Sequence, residues 1–364
     1  MLYLGIDQHR NQLTVDLGND QGELVKHRQV STAPKQLEAF LGWLRELSES
    51  EGGFAAILEV CGFNDYLMKM LDDYGCREIV LIQPQQRSRR KTDRRDARAL
   101  RDLLWVNRIA LVNGDRLAGL RRVRPCTQQE SEQRQVTSLR RHLSKLKTKA
   151  VNKIHRILLK HNLQHHCPTK SIDTQRGRQW LTELTIPQID RLELDLLLAQ
   201  WALLREHLQK VQEKINQMHN ESPAAMIVAS VPGLRGYSSL AIASRIGNPQ
   251  DFPRPSSLSN FFGLTPGCCN SGDLQRPGSI TKEGSSLVRG LLSNCVYHVL
   301  RKDAWMREWY KRIKRRRGSG IARVAVMRRL VAIIWKMLRE DMPYVPGGPA
   351  AVEKQRRIIQ TLEP

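Results

Sequence analysis

Four acidic residues in the first hundred positions have the types and spacing of a divalent-metal site. Asp7 and Glu59 each end an apolar run, and Asp93 and Asp96 lie three residues apart in an arginine-rich stretch. Residues three apart share one face of a helix, and carboxylate oxygens are the ligands that Mg²⁺ prefers. We therefore predict that these four residues bind Mg²⁺, or Mn²⁺, beside a scissile phosphate. The alternative is that Asp93 and Asp96 pair with neighbouring arginines on a solvated helix face.

The charge of the chain favours a nucleic-acid partner. The formal net charge is +23, and residues 85–160 carry 22 Lys/Arg against 6 Asp/Glu. Residues 300–340 carry 14 against 3, whereas residues 1–84 carry 7 against 13. Basic side chains of this kind bind phosphates without reading bases, although a generic solvated surface is the alternative. The candidate nucleic-acid-binding residues are Arg89, Arg90, Lys91, Arg94, Arg95, Arg98, Lys282, Arg315, Arg316 and Arg317, and the first patch also includes Arg87 and Arg101.

The elements that must position the carboxylates form an α/β pattern. Alternating and apolar runs predict strands at 2–6, 12–17, 23–30, 54–60 and 78–82, with helices beginning near Pro34, Asn64 and Thr92. The resulting order, β-β-β-α-β-α-β-α, is that of a ribonuclease-H-like fold. We assign this catalytic domain to residues 1–110.

The rest of the chain is predicted to be mainly helical. Apolar residues three and four apart predict long helices at 130–162 and 188–220, which could pair as an antiparallel hairpin or between subunits. Shorter helices at 285–302 and 320–340 are predicted to flank the basic run 311–317. We divide this part into a helical coiled-coil linker (111–222), a C-terminal domain (223–342) with a turn-rich loop at 268–272, and a flexible tail (343–364).

Cysteine usage and hydropathy exclude several other classes. The seven cysteines are an odd number, which argues against a disulfide framework, and they include no CxxC pair, which argues against a zinc site. No apolar run approaches the ~18–20 residues of a membrane-spanning helix, and no signal-peptide pattern occurs at the N-terminus. We therefore expect a soluble, cytoplasmic protein without a membrane partner.

Two groups of motifs resemble those of the DEDD-type insertion-sequence transposases, which include the Piv-type site-specific DNA invertases. The amino-terminal motifs are Gly5-Ile6-Asp7, Leu58-Glu59-Val60-Cys61-Gly62 and Lys91-Thr92-Asp93-Arg94-Arg95-Asp96-Ala97. The carboxyl-terminal motifs are Gly263-Leu264-Thr265-Pro266, Ser271-Gly272, Gly278-Ser279-Ile280-Thr281-Lys282 and Gly284. The resemblance covers roughly residues 2–340.

This resemblance implies a function and a set of partners. It implies a RuvC-like domain, a coiled-coil linker and a transposase domain, with the acidic tetrad on Asp7, Glu59, Asp93 and Asp96. A catalytic serine falls on Ser271 and is implied to form a phosphoserine link to DNA, while the tetrad holds Mg²⁺. The family further implies a homo-oligomer, dimer or tetramer, in which different protomers supply the two halves of the site. A structured bridge RNA that pairs with target and donor DNA, and a nucleoid-associated prokaryotic location, complete the expectation.

Three other functions remain as alternatives. A RuvC-like junction-resolving nuclease would use water as nucleophile and leave Ser271 idle. A non-catalytic RNA- or DNA-binding protein would not need the carboxylates. An actin-like ATPase is disfavoured because Gln8-His9-Arg10-Asn11 stands where that fold needs a Gly/Thr phosphate loop.

Overall fold

The described part of the chain divides into two units. The computed structural model describes the backbone of all residues except 84–92, 116, 121, 272–273 and 363–364. Its side chains are described for the same residues apart from 93–94, 268–271, 274–277 and 358–362. The units are Met1–Pro125 and Cys126–Pro364. The division into a domain, a linker, a second domain and a tail stays a prediction.

The first unit is built on a five-stranded mixed sheet. Its strands, β1 to β5, are Leu2–Gln8, Gln12–Gly18, Leu24–Ser31, Phe54–Glu59 and Cys76–Ile82, and they lie in the order β3-β2-β1-β4-β5. Strand β1 pairs antiparallel with β2 and parallel with β4, which pairs parallel with β5. The helices are α1 (Pro34–Glu49), α2 (Asp65–Asp73), α3 (Asp93–Val106) and α4 (Arg108–Asn113). The predicted β-β-β-α-β-α-β-α order is confirmed.

The two faces of this sheet pack against different helices. Because successive strand residues point to opposite faces, Ile6 and Leu58 lie in one apolar cluster together with Leu41 of α1. Ile57 lies in the other cluster, together with Leu100 of α3. Residue 59, two positions beyond Ile57 on β4, therefore faces α3. Tyr3 lies in the same cluster as Ile57, so residues 5 and 7 of β1 face α3 as well.

Helix α3 approaches β1 closely because residue 5 is glycine. A Cβ atom on Gly5 would lie 2.2 Å from the carbonyl oxygen of Ala97 and 2.5 Å from the backbone nitrogen of Arg101. Farther along α3, Leu104 clusters with Tyr3 near the start of β1. The helix therefore runs so that its first turn lies toward the end of β1 that carries Asp7.

The second unit begins with an antiparallel helical hairpin. Helix α5 (Gln128–Lys160) pairs with α7 (Gln188–Asn220), and α6 (Gln175–Glu183) lies between them in the chain. Arg140 Nε donates to Gln212 Oε1 at 2.8 Å, and Lys160 Nζ contacts Asp190 at 2.8 Å. The residue numbers rise along α5 from 140 to 160 and fall along α7 from 212 to 190, so the two helices are antiparallel. Of the two predicted arrangements, a hairpin and pairing between subunits, the structure shows the hairpin.

The remaining elements of the second unit follow, and most of their helices pack around an apolar cluster that includes Leu240, Leu292 and Leu330. They are α8 (Pro223–Ala229), α9 (Tyr237–Ile246), α10 (Pro255–Phe261), β6 (Pro266–Ser271), β7 (Leu274–Ile280), α11 (Ser286–Lys302), α12 (Ala304–Arg339) and α13 (Pro349–Leu362). No helix in the described ranges combines the length and hydropathy needed to cross a membrane.

Two local predictions differ from this structure. Residues 268–271 of the predicted loop belong to β6, which forms a β-hairpin with β7. The basic run 311–317 is helical and lies in the first part of α12 rather than between two helices. A kink at Gly318, whose φ of 82° and ψ of 168° are not helical, divides α12, so its second part begins close to the predicted helix start at 320. The tail at 343–364 contains α13, and its flexibility stays a prediction.

Candidate active site

Asp7 and Glu59 lie at the ends of neighbouring parallel strands. Ile6 and Leu58 are the last paired residues of β1 and β4, so Asp7 and Glu59 occupy the next positions. Glu59 lies two residues beyond Ile57 and Asp7 lies two beyond Gly5, both of which face α3. The alternation of a strand therefore directs both carboxylates toward the α3 face of the sheet.

Helix α3 supplies the other two acidic residues. Asp96 is half-buried and lies next to Ala97, whose carbonyl approaches Gly5. It also precedes Leu100, which packs on the sheet, by four residues and so shares its helix face. Asp93 is the first residue of α3, and its side chain lies outside the described set.

Polar contacts join the ends of β1 and β4. Asp7 Oδ2 lies 3.2 Å from His9 Nε2. The buried Asn64 donates to the Glu59 carbonyl oxygen at 3.1 Å and to Gln8 Oε1 at 2.8 Å. Asn64 also accepts a hydrogen bond from the Cys61 amide at 2.6 Å. Sequence reasoning named Asn64 only as the start of a helix and missed these contacts; in the structure it directly precedes α2.

The donor chemistry of these residues fits a hard divalent cation, but the described carboxylates do not form a closed cage. Within the described ranges, no group of three or more His, Cys, Asp or Glu residues is close enough together to hold a metal ion. The described acidic side chains of the predicted tetrad are those of Asp7, Glu59 and Asp96. All supply oxygen ligands, which suit Mg²⁺ and Mn²⁺. The structure places Asp7 and Glu59 at one edge of the sheet and Asp96 on the helix that covers the same face.

Ser271 belongs to a hairpin whose base is tightly fixed. It is the last residue of β6 and pairs with Leu274 of β7, while its side chain lies outside the described set. At the base, the Thr281 amide donates to the Thr265 carbonyl at 2.9 Å, and the Lys282 amide donates to the Gly263 carbonyl at 3.1 Å. Lys282 has a φ of 57°, so the chain turns sharply where it leaves β7.

Two glycines and one arginine hold this base together. Gly263 has a φ of 63° and Gly284 a φ of 72°, and a Cβ on either would lie 2.1 Å from a backbone oxygen, that of Glu283 or Phe261 respectively. Arg289 Nη1 donates to the carbonyls of Phe262, Glu283 and Gly284 at 3.1, 2.8 and 3.2 Å. We name Gly263, Gly284 and Arg289 the hairpin clamp. Sequence reasoning identified the glycines as motif residues but missed Arg289, because nothing in the local sequence of α11 distinguishes this arginine.

The predicted nucleic-acid-binding residues have different environments. Arg87 and residues 89–91 lie outside the described chain, and for Arg94 only the backbone is described. The exposed members are Arg95, Arg98, Lys282, Arg315, Arg316 and Arg317. The assignment of Arg101 to the phosphate-binding patch is wrong, because this side chain is buried. Its Nη1 atom lies 2.9 Å from Asp16 Oδ2.

Two models of known protein families match this chain, one over the part with the acidic residues and one over the part with the Ser271 hairpin. A model of DEDD-type IS110 transposases matches residues 4–163, and a model described as the transposase IS116/IS110/IS902 family matches residues 225–311. Together they cover more than half of the chain, including all five predicted catalytic positions. The chain belongs to the DEDD-type IS110 transposase family. As a transposase, it is an enzyme that cleaves and recombines DNA.

Individual relatives align with the transposase over most of its length. The transposase of insertion sequence element IS1111A from Coxiella burnetii is 24% identical over 80% of this chain and 79% of its own. A probable family 20 transposase from Pseudomonas aeruginosa is 26% identical over 80% of this chain and 85% of its own. The transposase of element IS1328 from Yersinia enterocolitica is 20% identical over 91% of this chain and 95% of its own.

Proposed function

We propose that Met1–Pro125 is a RuvC-like, ribonuclease-H-like catalytic unit of an insertion-sequence transposase. The strand order β3-β2-β1-β4-β5, with three antiparallel strands followed by two parallel ones, supports this assignment. The observation that carries the proposal is the placement of Asp7 and Glu59 at adjacent strand ends, on the face against which α3 presents Asp96.

The acidic residues would bind Mg²⁺, with Mn²⁺ as a substitute. Asp7, Glu59, Asp93 and Asp96 would supply its carboxylate ligands. A bound divalent cation polarises a scissile phosphate and stabilises the charge of attacking and leaving oxygens. Strands β1 and β4 would fix the orientation of Asp7 and Glu59. Helix α3, which packs closely on Gly5, would set the position of Asp96. His9, 3.2 Å from Asp7, would help to orient that carboxylate.

Ser271 would act as the nucleophile. Its Oγ would attack the scissile phosphorus, forming a phosphoserine bond as the P–O bond to the leaving strand breaks. The serine proton would pass to a base and from there to the departing strand oxygen, so that the leaving strand carries a free hydroxyl. Attack on the phosphoserine by that hydroxyl would reverse the cleavage, whereas attack by the hydroxyl of another strand would release Ser271 and complete the exchange, so phosphodiester energy is conserved. The hairpin clamp supports this role because it fixes the base of the hairpin that carries Ser271.

The proposal includes a guide and a partner subunit. The net charge of +23 and the membership in this family support binding of a structured bridge RNA together with target and donor DNA. The RNA would pair with both DNAs and bring them to the enzyme. The transposase would act as a dimer or tetramer in which different protomers supply the acidic residues and Ser271.

Trapping the covalent intermediate tests the serine role. We expect a protein–DNA adduct that maps to Ser271 by peptide mass spectrometry, that forms only with Mg²⁺ or Mn²⁺, and that disappears in Ser271→Ala. Chelation with EDTA should stop strand exchange, and added Mg²⁺ should restore it. A Ser271→Ala protein that cuts DNA at full rate would instead support a RuvC-like nuclease with water as nucleophile. An Asp7→Ala protein with unchanged reaction yield would support a non-catalytic binding protein.

A further inference from the structure

A basic cleft lies on the exposed side of α5, next to the beginning of α9. It has a volume of about 480 Å³, and Tyr237 of α9 closes one side. The α5 side chains that line it are four cations and two hydroxyls: Arg140, Arg141, Lys145, Lys149, Ser144 and Thr148. We name these four cations and Tyr237 the α5 cleft.

The cations of the α5 cleft lack acidic partners. In the described chain, no carboxylate oxygen lies within 4.0 Å of the charged nitrogens of these four residues. By contrast, Lys147 on another side of the same helix pairs with Asp173 at 2.8 Å. Arg140 instead donates to the amide oxygen of Gln212 and lies 4.1 Å over the Tyr237 ring. Arg141 donates to the Ser286 hydroxyl at 3.1 Å.

More positive charge lies beside the α5 cleft. Arg245 of α9 is half-buried and donates to the hydroxyls of Thr137 and Ser138 at 3.0 and 2.9 Å. Burial lowers the pKa of Arg245 to about 10, and the charges of Arg134 and Arg141 add to this effect. Partly desolvated charges that repel one another oppose folding unless an opposite charge compensates them. Such a concentration of uncompensated arginines indicates an anionic ligand.

The spacing of these cations suits an extended polyanion. Arg141, Lys145 and Lys149 recur every four residues on one helix face. At a rise of 1.5 Å per residue, neighbouring cations are about 6 Å apart along the helix axis. A row of charges of this kind binds successive phosphates of a backbone, and the hydroxyls of Ser144 and Thr148 can donate to the same phosphates.

We infer that the α5 cleft binds the phosphodiester backbone of double-stranded DNA. This inference rests on the transposase function, which supplies DNA as the ligand, and adds a binding site in the second unit to that function. Binding of a single strand relies on bases stacked on aromatic side chains. The one aromatic ring of the α5 cleft, that of Tyr237, is already covered by Arg140. The remaining groups contact phosphates, so this binding is independent of sequence.

A pair of matched double variants tests the inference in the intact protein. Lys145→Gln/Lys149→Gln removes two exposed cations of the α5 cleft. Lys210→Gln/Lys214→Gln removes two exposed cations of α7, where Lys210 already pairs with Glu206 at 2.6 Å. Both variants have the same net charge. Binding to a fluorescent DNA duplex of arbitrary sequence would be measured in EDTA over a range of salt concentrations, so that no strand cleavage enters the result.

The expected result is specific to the α5 cleft. We expect the cleft variant to bind duplex DNA on the order of tenfold more weakly near physiological salt, and its salt slope to fall by about 0.9 for each lost phosphate contact. The α7 variant should keep the wild-type slope, and both should keep the wild-type melting temperature. Equal slopes in the two variants would overturn the inference.

A parallel measurement with RNA distinguishes DNA from RNA as the ligand of the α5 cleft. The same measurement with a structured RNA duplex identifies the ligand, since a loss confined to RNA would overturn the assignment to DNA. A failure of the metal or serine proposals would leave these binding measurements unchanged, because they require neither. The two sets of results can therefore fail independently.

Discussion

At the scale of single residues, Arg101 links helix α3, which carries Asp96, to the sheet. It lies in α3 and is 4% exposed, and its guanidinium contacts Asp16 of β2, which is 2% exposed. Asp16 also contacts His27 Nδ1 at 3.1 Å on β3. Removal of one partner from a buried ion pair leaves an uncompensated charge, which costs more than the intact pair contributes.

We predict that Arg101→Leu strongly destabilises the first unit. The free energy of unfolding, measured by urea denaturation, should fall by about 3–5 kcal/mol because Asp16 loses its buried partner. The matched control is Arg98→Leu, which removes an exposed side chain from the same helix. It should change stability by less than about 1 kcal/mol. Comparable losses in the two variants would contradict a buried role for Arg101.

The positions of Asp7 and Glu59 could be predicted from the sequence, whereas the buried ion pair between Arg101 and Asp16 could not. Asp7 and Glu59 could be predicted at strand ends because each directly follows an apolar run. Arg101 could not be separated from its neighbours, because one buried arginine in an arginine-rich helix has no local signal. Its partner Asp16 is far away in the chain, and only the paired strands bring the two together.

At the scale of elements, the packing of α3 on β1 determines where Asp96 lies. We predict that Gly5→Ala destabilises the protein by about 1–3 kcal/mol, since a Cβ would lie 2.2 Å from the Ala97 carbonyl. Strand exchange should fall even where the protein remains folded, because α3 must move away from the sheet. Urea denaturation and an exchange assay at low temperature measure the two effects.

Gly42→Ala provides the control for this helix-on-strand contact. Gly42 lies inside α1, where a Cβ would meet nothing within 4 Å. Alanine there should be neutral or stabilising by roughly 0.5–1 kcal/mol, because glycine is a poor helix former. Unaltered stability and exchange in Gly5→Ala would show that α3 does not depend on this close approach.

The hairpin clamp gives a second prediction about elements. Arg289→Gln removes the charged donor to the carbonyls of Phe262, Glu283 and Gly284. We expect adduct formation at Ser271 to fall at least tenfold while duplex DNA affinity stays within twofold, because a loosened hairpin misplaces the nucleophile. Gly290→Ala, at a neighbouring site with open space, should leave both unchanged. Parallel losses of affinity and adduct would instead indicate general unfolding.

Periodic elements could be predicted from the sequence, whereas some local structure could not. The long helices α5 and α7 were predictable because their apolar residues recur every three or four positions. Strand β6, with the sequence Pro-Gly-Cys-Cys-Asn-Ser, has no clear alternation of apolar and polar residues, so it was interpreted as a loop. The basic run 311–317 was predicted to separate two helices, whereas it is helical and the break follows it at Gly318.

At the scale of the whole molecule, positive charge is concentrated in separate regions. The strongest concentration in the first unit surrounds the start of α3, where Arg95 and Arg98 are exposed. We predict that replacing Lys91, Arg94 and Arg95 with glutamine weakens binding to all duplex sequences. The salt slope of binding should fall by about 0.9 for each lost phosphate contact.

A variant with the same net charge controls for this change. Lys35, Arg45 and Lys69 are exposed residues of α1 and α2, whose apolar side chains pack on the sheet face opposite α3. Replacing these three with glutamine should leave the slope unchanged. If the first variant also has a wild-type slope, the residues at the start of α3 are not part of the nucleic-acid interface.

Uptake of Mn²⁺ tests most directly whether the acidic edge of the sheet is a metal site. Electron paramagnetic resonance on the protein–DNA complex counts the bound ions, with Glu59→Gln as the isosteric variant that removes one carboxylate. We predict saturable Mn²⁺ binding to the wild-type complex, displaced by Mg²⁺, and a loss of at least tenfold in affinity for Glu59→Gln. Absence of Mn²⁺ uptake in the presence of DNA, or equal uptake by the two proteins, would contradict the account.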